Sequence, residues 1–202
     1  MPVPDIDDVI VHTRLEDDRR ICIRAMRPDD EPRLRKGIER LSLQSRYMRF
    51  FSAAPIPPAP VIERLVAVDG HRHLAWGAIL TDDPGHTAIG VVHAIRNDED
   101  DPRAEFAIGV LDDFHGLGLA RMLTAVLLIH CRDEGIAALD AQILAENTAA
   151  IGFIRSLGAQ RSGGHAGVAE FTLDTATALE TMRTSVEPQG LAAVFEAFSD
   201  YL

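Results

Sequence analysis

Lysine is nearly absent from this sequence. Lys36 stands alone, and every other basic residue is arginine. A nucleophilic or phosphate-gripping lysine anywhere else in the chain is therefore excluded. Cysteine is almost as scarce: Cys22 and Cys131 are the only two. Both sit in apolar, periodic segments, which reads as small buried hydrophobes in a reducing compartment and not as a disulfide. Positive charge is in deficit, with 20 Lys and Arg against 31 Asp and Glu and a formal net charge of -11. A nucleic-acid partner needs a basic stripe, and none is present; cationic partners such as amines or lysine side chains stay open. No apolar run reaches membrane-spanning length, so no membrane partner is expected. The N-terminus "MPVPDIDD" is acidic and lacks the apolar core of a signal peptide, and the expected location is the cytoplasm. Internal repeats and low-complexity segments are missing too. What remains is ordinary for a globular chain of 202 residues, 47% apolar and 25% charged. A chain of this length buries about 70% of its unfolded surface and needs no disulfide or structural metal.

Hydrophobic periodicity sets out the elements. "VIVHTRL" and "RICIRAM" alternate on either side of "EDDR", which predicts a hairpin over about 9–26. "RPDDEPRLRKGIERL" starts a helix, with Asp29 or Asp30 as N-cap and Pro32 in the first turn. "SLQSRYMRFF" is a second short helix, "SAAPIPPAP" a stiff connector, and "VIERLVAVD" a third helix with Ile62, Leu65 and Val66 on one face. Three strands follow, "HLAWGAIL", "TAIGVVHAI" and "AEFAIGVL", separated by the turns "TDDPGH" and "RNDEDDP". A helix over about 117–134 carries Leu119, Met122, Leu123, Val126 and Leu127 at helical spacing, and Gly135 suits its end. A strand "LDAQILA", a helix "NTAAIGFIRSLG", a closing strand "AEFTLD" and an amphipathic tail "LAAVFEAFSDYL" complete the chain. The pattern predicts an α+β fold: a single mixed, mostly antiparallel sheet flanked by helices, with one strand–turn–helix–strand crossover. One domain spanning 1–202 is expected, its core at about 9–174 and a helical tail over 175–202.

The crossover holds the most informative stretch, "DDFHGLGLARML". Gly116 and Gly118 lie between a strand and the start of a helix. Such a junction presents unpaired N–H groups and the positive end of a helix dipole, and glycine lets an anion approach the main chain. A plain tight turn is the alternative. No Lys-Ser/Thr follows, which rules out a mononucleotide P-loop, and the spacing fits a dinucleotide fingerprint poorly.

At these residues the sequence resembles the GNAT N-acetyltransferase superfamily. Its acyl-CoA pyrophosphate loop reads Gln or Arg, two free positions, Gly, one free position, then Gly or Ala. His115 stands in the first place here, with Gly118 and Ala120 in the others. "ENTAAIGFIRSLGA" resembles the family's second cofactor segment, with Asn147 at its start. "IRAMRPDDEPRLRKGIERLSLQSRYMRFF" is similar to the opening of bacterial GNAT domains linked to protein lysine acetylation. The resemblance covers about 9–174. It implies acetyl-CoA as co-substrate, no metal, and cofactor contacts from His115, Gly116, Leu117, Gly118, Leu119, Ala120, Arg121 and Asn147. It also implies that pantetheine runs beside the preceding strand on main-chain groups of Ile108 and Val110. The family often carries a tyrosine as acid for the leaving thiolate in the helix after Asn147; Ile154 stands there.

In "RAEFAIGVL" the residues alternate. Phe106, Ile108 and Val110 form a bulky face; Glu105, Ala107 and Gly109 form a face of one carboxylate and two small residues, hence a groove. A lysine amine, with a pKa near 10.4, must lose a proton before it can attack. A carboxylate at the groove can accept it directly or through water, and Glu105 is the candidate base. The alternative is an exposed charge paired with Arg103 or another arginine.

Other residues carry plainer readings. His71 and His73 are expected as surface histidines without a metal. Trp76, Tyr47, Met48, Phe50 and Phe51 are expected in the core. Arg46 and Arg49 should be solvated or frame a substrate entrance, and Asp112 and Asp113 should point away from the anion site. The function that emerges is acetyl-CoA-dependent N-acetyl transfer to an amine, most simply protein lysine. A small-molecule amine acceptor, and a non-catalytic acyl-CoA-binding regulator, are the alternatives; monomer and homodimer both remain open.

Overall fold

The computed structural model describes residues 5–52, 54, 56–185 and 187–202. Residues 1–4 of the acidic N-terminus, Ala53 and Pro55 of the connector, and Val186 lie outside the described residues. Eight strands form one sheet in the order β1-β2-β3-β4-β5-β6-β8-β7. They are β1 (Ile10–Arg14), β2 (Arg20–Ala25), β3 (His73–Leu80), β4 (Ala88–Arg96), β5 (Arg103–Val110), β6 (Ala138–Leu144), β7 (Gln160–His165) and β8 (Val168–Asp174). Every pairing is antiparallel except β5 with β6. The α+β reading with a mixed, mostly antiparallel sheet holds.

The alternation of each central strand splits its side chains between two cores. Leu74, Trp76 and Ala78 of β3, Val92 and Ala94 of β4, and Ala104 and Phe106 of β5 face α4 (Leu119–Asp133). On the opposite face Ala75 and Val91 pack with Leu34 and Ile38 of α1 (Glu31–Arg40) and with Ile62, Leu65 and Val66 of α3 (Ala59–Val66). Gly90 brings α4 close to the sheet: a Cβ there would meet Leu123 Cδ1 at 3.0 Å and Leu119 Cδ2 at 3.2 Å. The remaining helices are α2 (Leu43–Phe50), α5 (Thr148–Ser156), α6 (Thr175–Arg183) and α7 (Gly190–Ala197).

Several local expectations need correction. Asp30 occupies the N-cap position of α1 but does not cap it. It is buried and chelates Arg24 with two bonds of 2.7 Å, while also accepting from the Arg27 N–H at 3.0 Å. A charge-assisted bidentate pair outcompetes a neutral cap, so the residue bolts β2 to α1. Tyr47 and Phe51, expected in the core, are 38% and 39% exposed. β7 has no counterpart in the sequence reading: it reads "QRSGGH" and is exposed along most of its length, so it carries no apolar period. Phe198, beyond α7, is fully buried and meets Trp76 edge-on at 5.5 Å between ring centroids. Among the described residues no helix is long and apolar enough to cross a membrane.

Candidate functional site

The parallel pair β5–β6 is the structural origin of the site. Only Arg103, Ala104 and Glu105 pair with β6, opposite Ala138, Leu139 and Asp140. Beyond Glu105 the strands part, and Phe106 to Val110 on one side and Ala141, Gln142 and Ile143 on the other line a cleft of about 1290 Å³. Leu111 donates its N–H to Ile89 of β4 at 2.9 Å. Main-chain groups alternate in direction along a strand, so those of Phe106, Ile108 and Val110 point into the opening. His115 Nε2 bonds the Val110 carbonyl at 3.0 Å, tying the loop to the strand end.

The glycine turn closes one end of this cleft. Gly116 and Gly118 both take positive φ, 73° and 81°. Gly118 is the N-cap of α4, and the first helical turn has no preceding carbonyls to bond. Among the described residues the N–H groups of Gly116, Leu117, Gly118, Leu119 and Ala120 meet no acceptor. Space above Gly116 is open, since a Cβ there would have nothing within 4 Å. His115, Gly116, Gly118, Leu119, Ala120 and Arg121 line the cleft; Leu117 does not, and its carbonyl accepts from the Glu16 N–H at 3.3 Å. Asn147 lines the far wall and caps α5, its side chain accepting from Ala150 N–H at 3.1 Å. The Asp112 carboxylate is held by the start of α2, accepting from Ser42 N–H at 3.0 Å and from the Ser42 and Ser45 hydroxyls at 2.7 Å each. Burial pushes this carboxyl up, but those bonds outweigh it and bring its pKa down to about 2.

Glu105 sits where β5 and β6 begin to part, on the α1–α3 face, with its side chain 56% exposed. Arg64 of α3 approaches it at 3.9 Å, whereas Arg103 pairs with Asp140 instead. Ile154 is buried and lines the same cleft. Met48, Arg49, Phe50 and Phe51 also line it, so α2 forms the wall next to Glu105. Arg46 is not solvated as expected, whereas Arg49 lines the cleft, the alternative place left open to it. Arg46 is buried and donates to the Leu41 carbonyl at 2.9 Å. Arg49 is half-buried beside Gly109; burial lowers its pKa to about 10, which leaves it a full cation at neutral pH.

The histidine expectation fails in an instructive way. His71 precedes β3 and pairs with Glu134 at 2.5 Å. His73 is buried and bonds His93 of β4, Nε2 to Nδ1, at 2.9 Å. Sequence reading passed over His93, which is 0% exposed. A polar residue inside an apolar strand run was the one available signal.

Residues 20–160 match the family described as the acetyltransferase (GNAT) domain. An acetyltransferase of Pseudomonas aeruginosa is 28% identical over 146 residues, covering 69% of this chain and 78% of its own length. Acetyltransferase Pat of Mycolicibacterium smegmatis is 28% identical over 137 residues, covering 68% of this chain; the chain spans only 40% of that protein. Among solved structures, the GNAT domain of S. lividans PAT superposes with a TM-score of 0.74 at 24% identity, over 82% of this chain and 96% of that one. With most of its length inside the family match and its cleft built where β5 and β6 separate, the chain belongs to the GNAT acetyltransferase family and is an acyltransferase.

Proposed function

We propose that the protein transfers the acetyl group of acetyl-CoA to lysine side chains of proteins, with Glu105 as the general base. The observation that carries this reading is the position of Glu105. Its carboxylate stands at the root of an open cleft whose other end holds unpaired N–H groups around Gly116 and Gly118. The cleft suits an elongated phosphorylated thiol ester. Its loop offers main-chain donors and open space to a pyrophosphate, and the β5 edge offers main-chain groups of Ile108 and Val110 to an extended amide-bearing arm. His115, Leu117, Leu119, Ala120, Arg121 and Asn147 complete the proposed cofactor set. Acetyl-CoA supplies an acyl group activated as a thioester.

The chain's own residues supply what the amine needs. An acceptor ammonium is drawn to Glu105, and the carboxylate takes its proton directly or through water, since the side chain is exposed enough to be reached by both. Two cations stand near it: Arg49 on the cleft wall and Arg64, 3.9 Å from the carboxylate. Ile154 places no titratable group in its part of the cleft, so the reading assigns no enzyme acid; a thiol has a pKa of only about 8.5 and leaves readily as thiolate. A groove that stays open beside Ala107 and Gly109 favours catalysis over mere cofactor binding. The 28% identity to an acetyltransferase named Pat agrees with a protein acceptor. We take the whole chain, including α6 and α7, as one catalytic domain working in the cytoplasm.

The test is to incubate the protein with acetyl-CoA, a mixture of lysine-bearing proteins and a panel of small amines. The mass added by one acetyl group is then followed on each. Acetylation confined to protein lysines supports the reading; acetylation confined to small amines replaces the acceptor class.

A further inference from the structure

Behind the wall of α2 lies a second, smaller cavity of about 60 Å³. Arg49, Phe50 and Gly109 line both this cavity and the main cleft, so Arg49 stands at the boundary between them. Of the bonded pair His73 and His93, only His93 lines the small cavity. On the sheet it lies opposite Ala107, between the registers of Glu105 and Gly109.

The hydrogen bonds around His93 fix where its proton sits. Ala67 ends α3, and its carbonyl meets His73 Nδ1 at 3.1 Å. A carbonyl only accepts, so His73 Nδ1 carries the hydrogen. Burial lowers the pKa of His73, which keeps it neutral and leaves its Nε2 bare. His93 Nδ1, 2.9 Å from that bare nitrogen, must then donate. Burial, together with the nearby Arg49 and His73, holds His93 neutral as well. Its Nε2 is therefore a lone pair, fully buried, and among the described residues it has no partner. A buried acceptor without a donor costs about 1–3 kcal/mol, so a native fold retains one where something completes it.

The matching donor lines the same cavity: it is Arg49. Arg49 carries only N–H donors, and among the described residues its guanidinium makes no hydrogen bond. Its contacts are the Phe50 ring, 5.0 Å from its Cζ, and the field of Glu105. A water molecule needs roughly 10–15 Å³ of such space and two or more polar partners; the cavity offers both.

We propose that water in this cavity joins Arg49 to His93, and that His93, backed by His73, is a positioning residue that aims the Arg49 guanidinium at the acceptor end of the cleft. The direction of every bond agrees: Arg49 N–H to water, water O–H to His93 Nε2, His93 Nδ1–H to His73 Nε2, and His73 Nδ1–H to the Ala67 carbonyl. The chain anchors a cation in the cleft to the end of α3, the helix that also supplies Arg64. It rests on the acetyl-transfer reading, because Arg49 acts there only on the field in front of Glu105.

Two measurements test it. Two-bond ¹H–¹⁵N spectra of histidine-labelled protein should show His73 and His93 both neutral with the proton on Nδ1, assigned by loss of signals in His93→Leu. A proton on His93 Nε2 overturns the chain. In turnover, His93→Leu should lower kcat about 10-fold to 100-fold, as a small misplacement of a site group does, with acetyl-CoA affinity unchanged. His93→Gln presents an amide N–H and C=O in place of the two ring nitrogens, and should recover most of the loss. In an Arg49→Met background, His93→Leu should cost nothing further, because the effect passes through Arg49. An equal additional loss in that background, or no rescue by glutamine, overturns the positioning role. The spectra need no acceptor, so they decide the hydrogen-bond chain even if failure to acetylate any amine overturns the functional reading.

Discussion

Pro188 packs directly onto the Cα of Gly118: a Cβ added to that glycine would lie 2.4 Å from the proline Cβ and 2.7 Å from its Cγ. The segment before α7 thus presses on the start of α4, and the two glycines of the loop are limited by different things. Gly116→Ala should cost only the left-handed backbone, about 1–2 kcal/mol, because its Cβ would enter open space. Gly118→Ala should cost more, since Pro188 has to move as well. Thermal melts of the two variants give the order directly. The open space above Gly116 also makes Gly116→Val the cleaner probe of cofactor binding. Wild type should gain about 2.7 kcal/mol at a ligand concentration 100 times Kd, and the valine variant should lose most of that gain.

Asp112 gives a prediction in pH. Its folded pKa of about 2 lies below the ordinary carboxylate value near 3.9. A depressed folded pKa contributes stability that is present above the unfolded value and is lost as pH falls through the folded one. The contribution should therefore fade between about pH 4 and pH 2. Asp112 is exposed, so after solvent screening we expect about 1 kcal/mol. Asp112→Asn should lower stability by that amount at pH 6 and make no difference near pH 2, as read by denaturant unfolding at both values. The bonds involved join the strand end to Ser42 and Ser45 at the start of α2.

Phe198 tests whether the C-terminal helices belong to the same folding unit. Its ring is fully buried against Trp76. Phe198→Ala should cost about 3–5 kcal/mol and lower the melting of the whole chain in one transition. A separate, early transition confined to the C-terminal segment would show a detachable tail.

Ile154 is 1% exposed and lines the cleft. If no enzyme acid operates there, Ile154→Tyr should change turnover by less than about tenfold, or lower stability by roughly 1–3 kcal/mol through overpacking. A large gain in kcat would mean the site lacks an acid it can use.

Much of this was legible in the sequence, and the limits have physical causes. Strands β1 to β5 and α4 carry strong apolar periods, and the glycine turn stands between two of them, so the order of residues locates all of these. β7 escapes because it is a glycine-bearing edge strand with no buried face. Asp30 misleads because cap and ion-pair residues look alike until Arg24 is known to sit across the sheet–helix junction. The alternation of β5 places Glu105 at the head of the small-residue face, as the sequence pattern implies; its role as base is the proposal. The histidine pair was not: His73 and His93 lie 20 residues apart and meet only through the β3–β4 register, in which His93 faces Ala75. Arg49 likewise gains meaning only once α2 is folded against β5.

As proposed, Glu105 removes the proton from the attacking amine. Glu105→Gln keeps the shape and loses the basic oxygen. The decisive measurement is kcat against pH for both proteins with the best lysine acceptor, alongside calorimetric acetyl-CoA binding. A fall of about 10²–10⁴ in kcat at neutral pH is expected, with affinity for acetyl-CoA nearly unchanged, since the loop at Gly116 and Gly118 is untouched. The deficit should narrow as pH rises toward the lysine pKa near 10.4, where the amine is increasingly neutral without help. Full turnover by Glu105→Gln at neutral pH would rule out Glu105 as the base and leave it as a surface partner of Arg64.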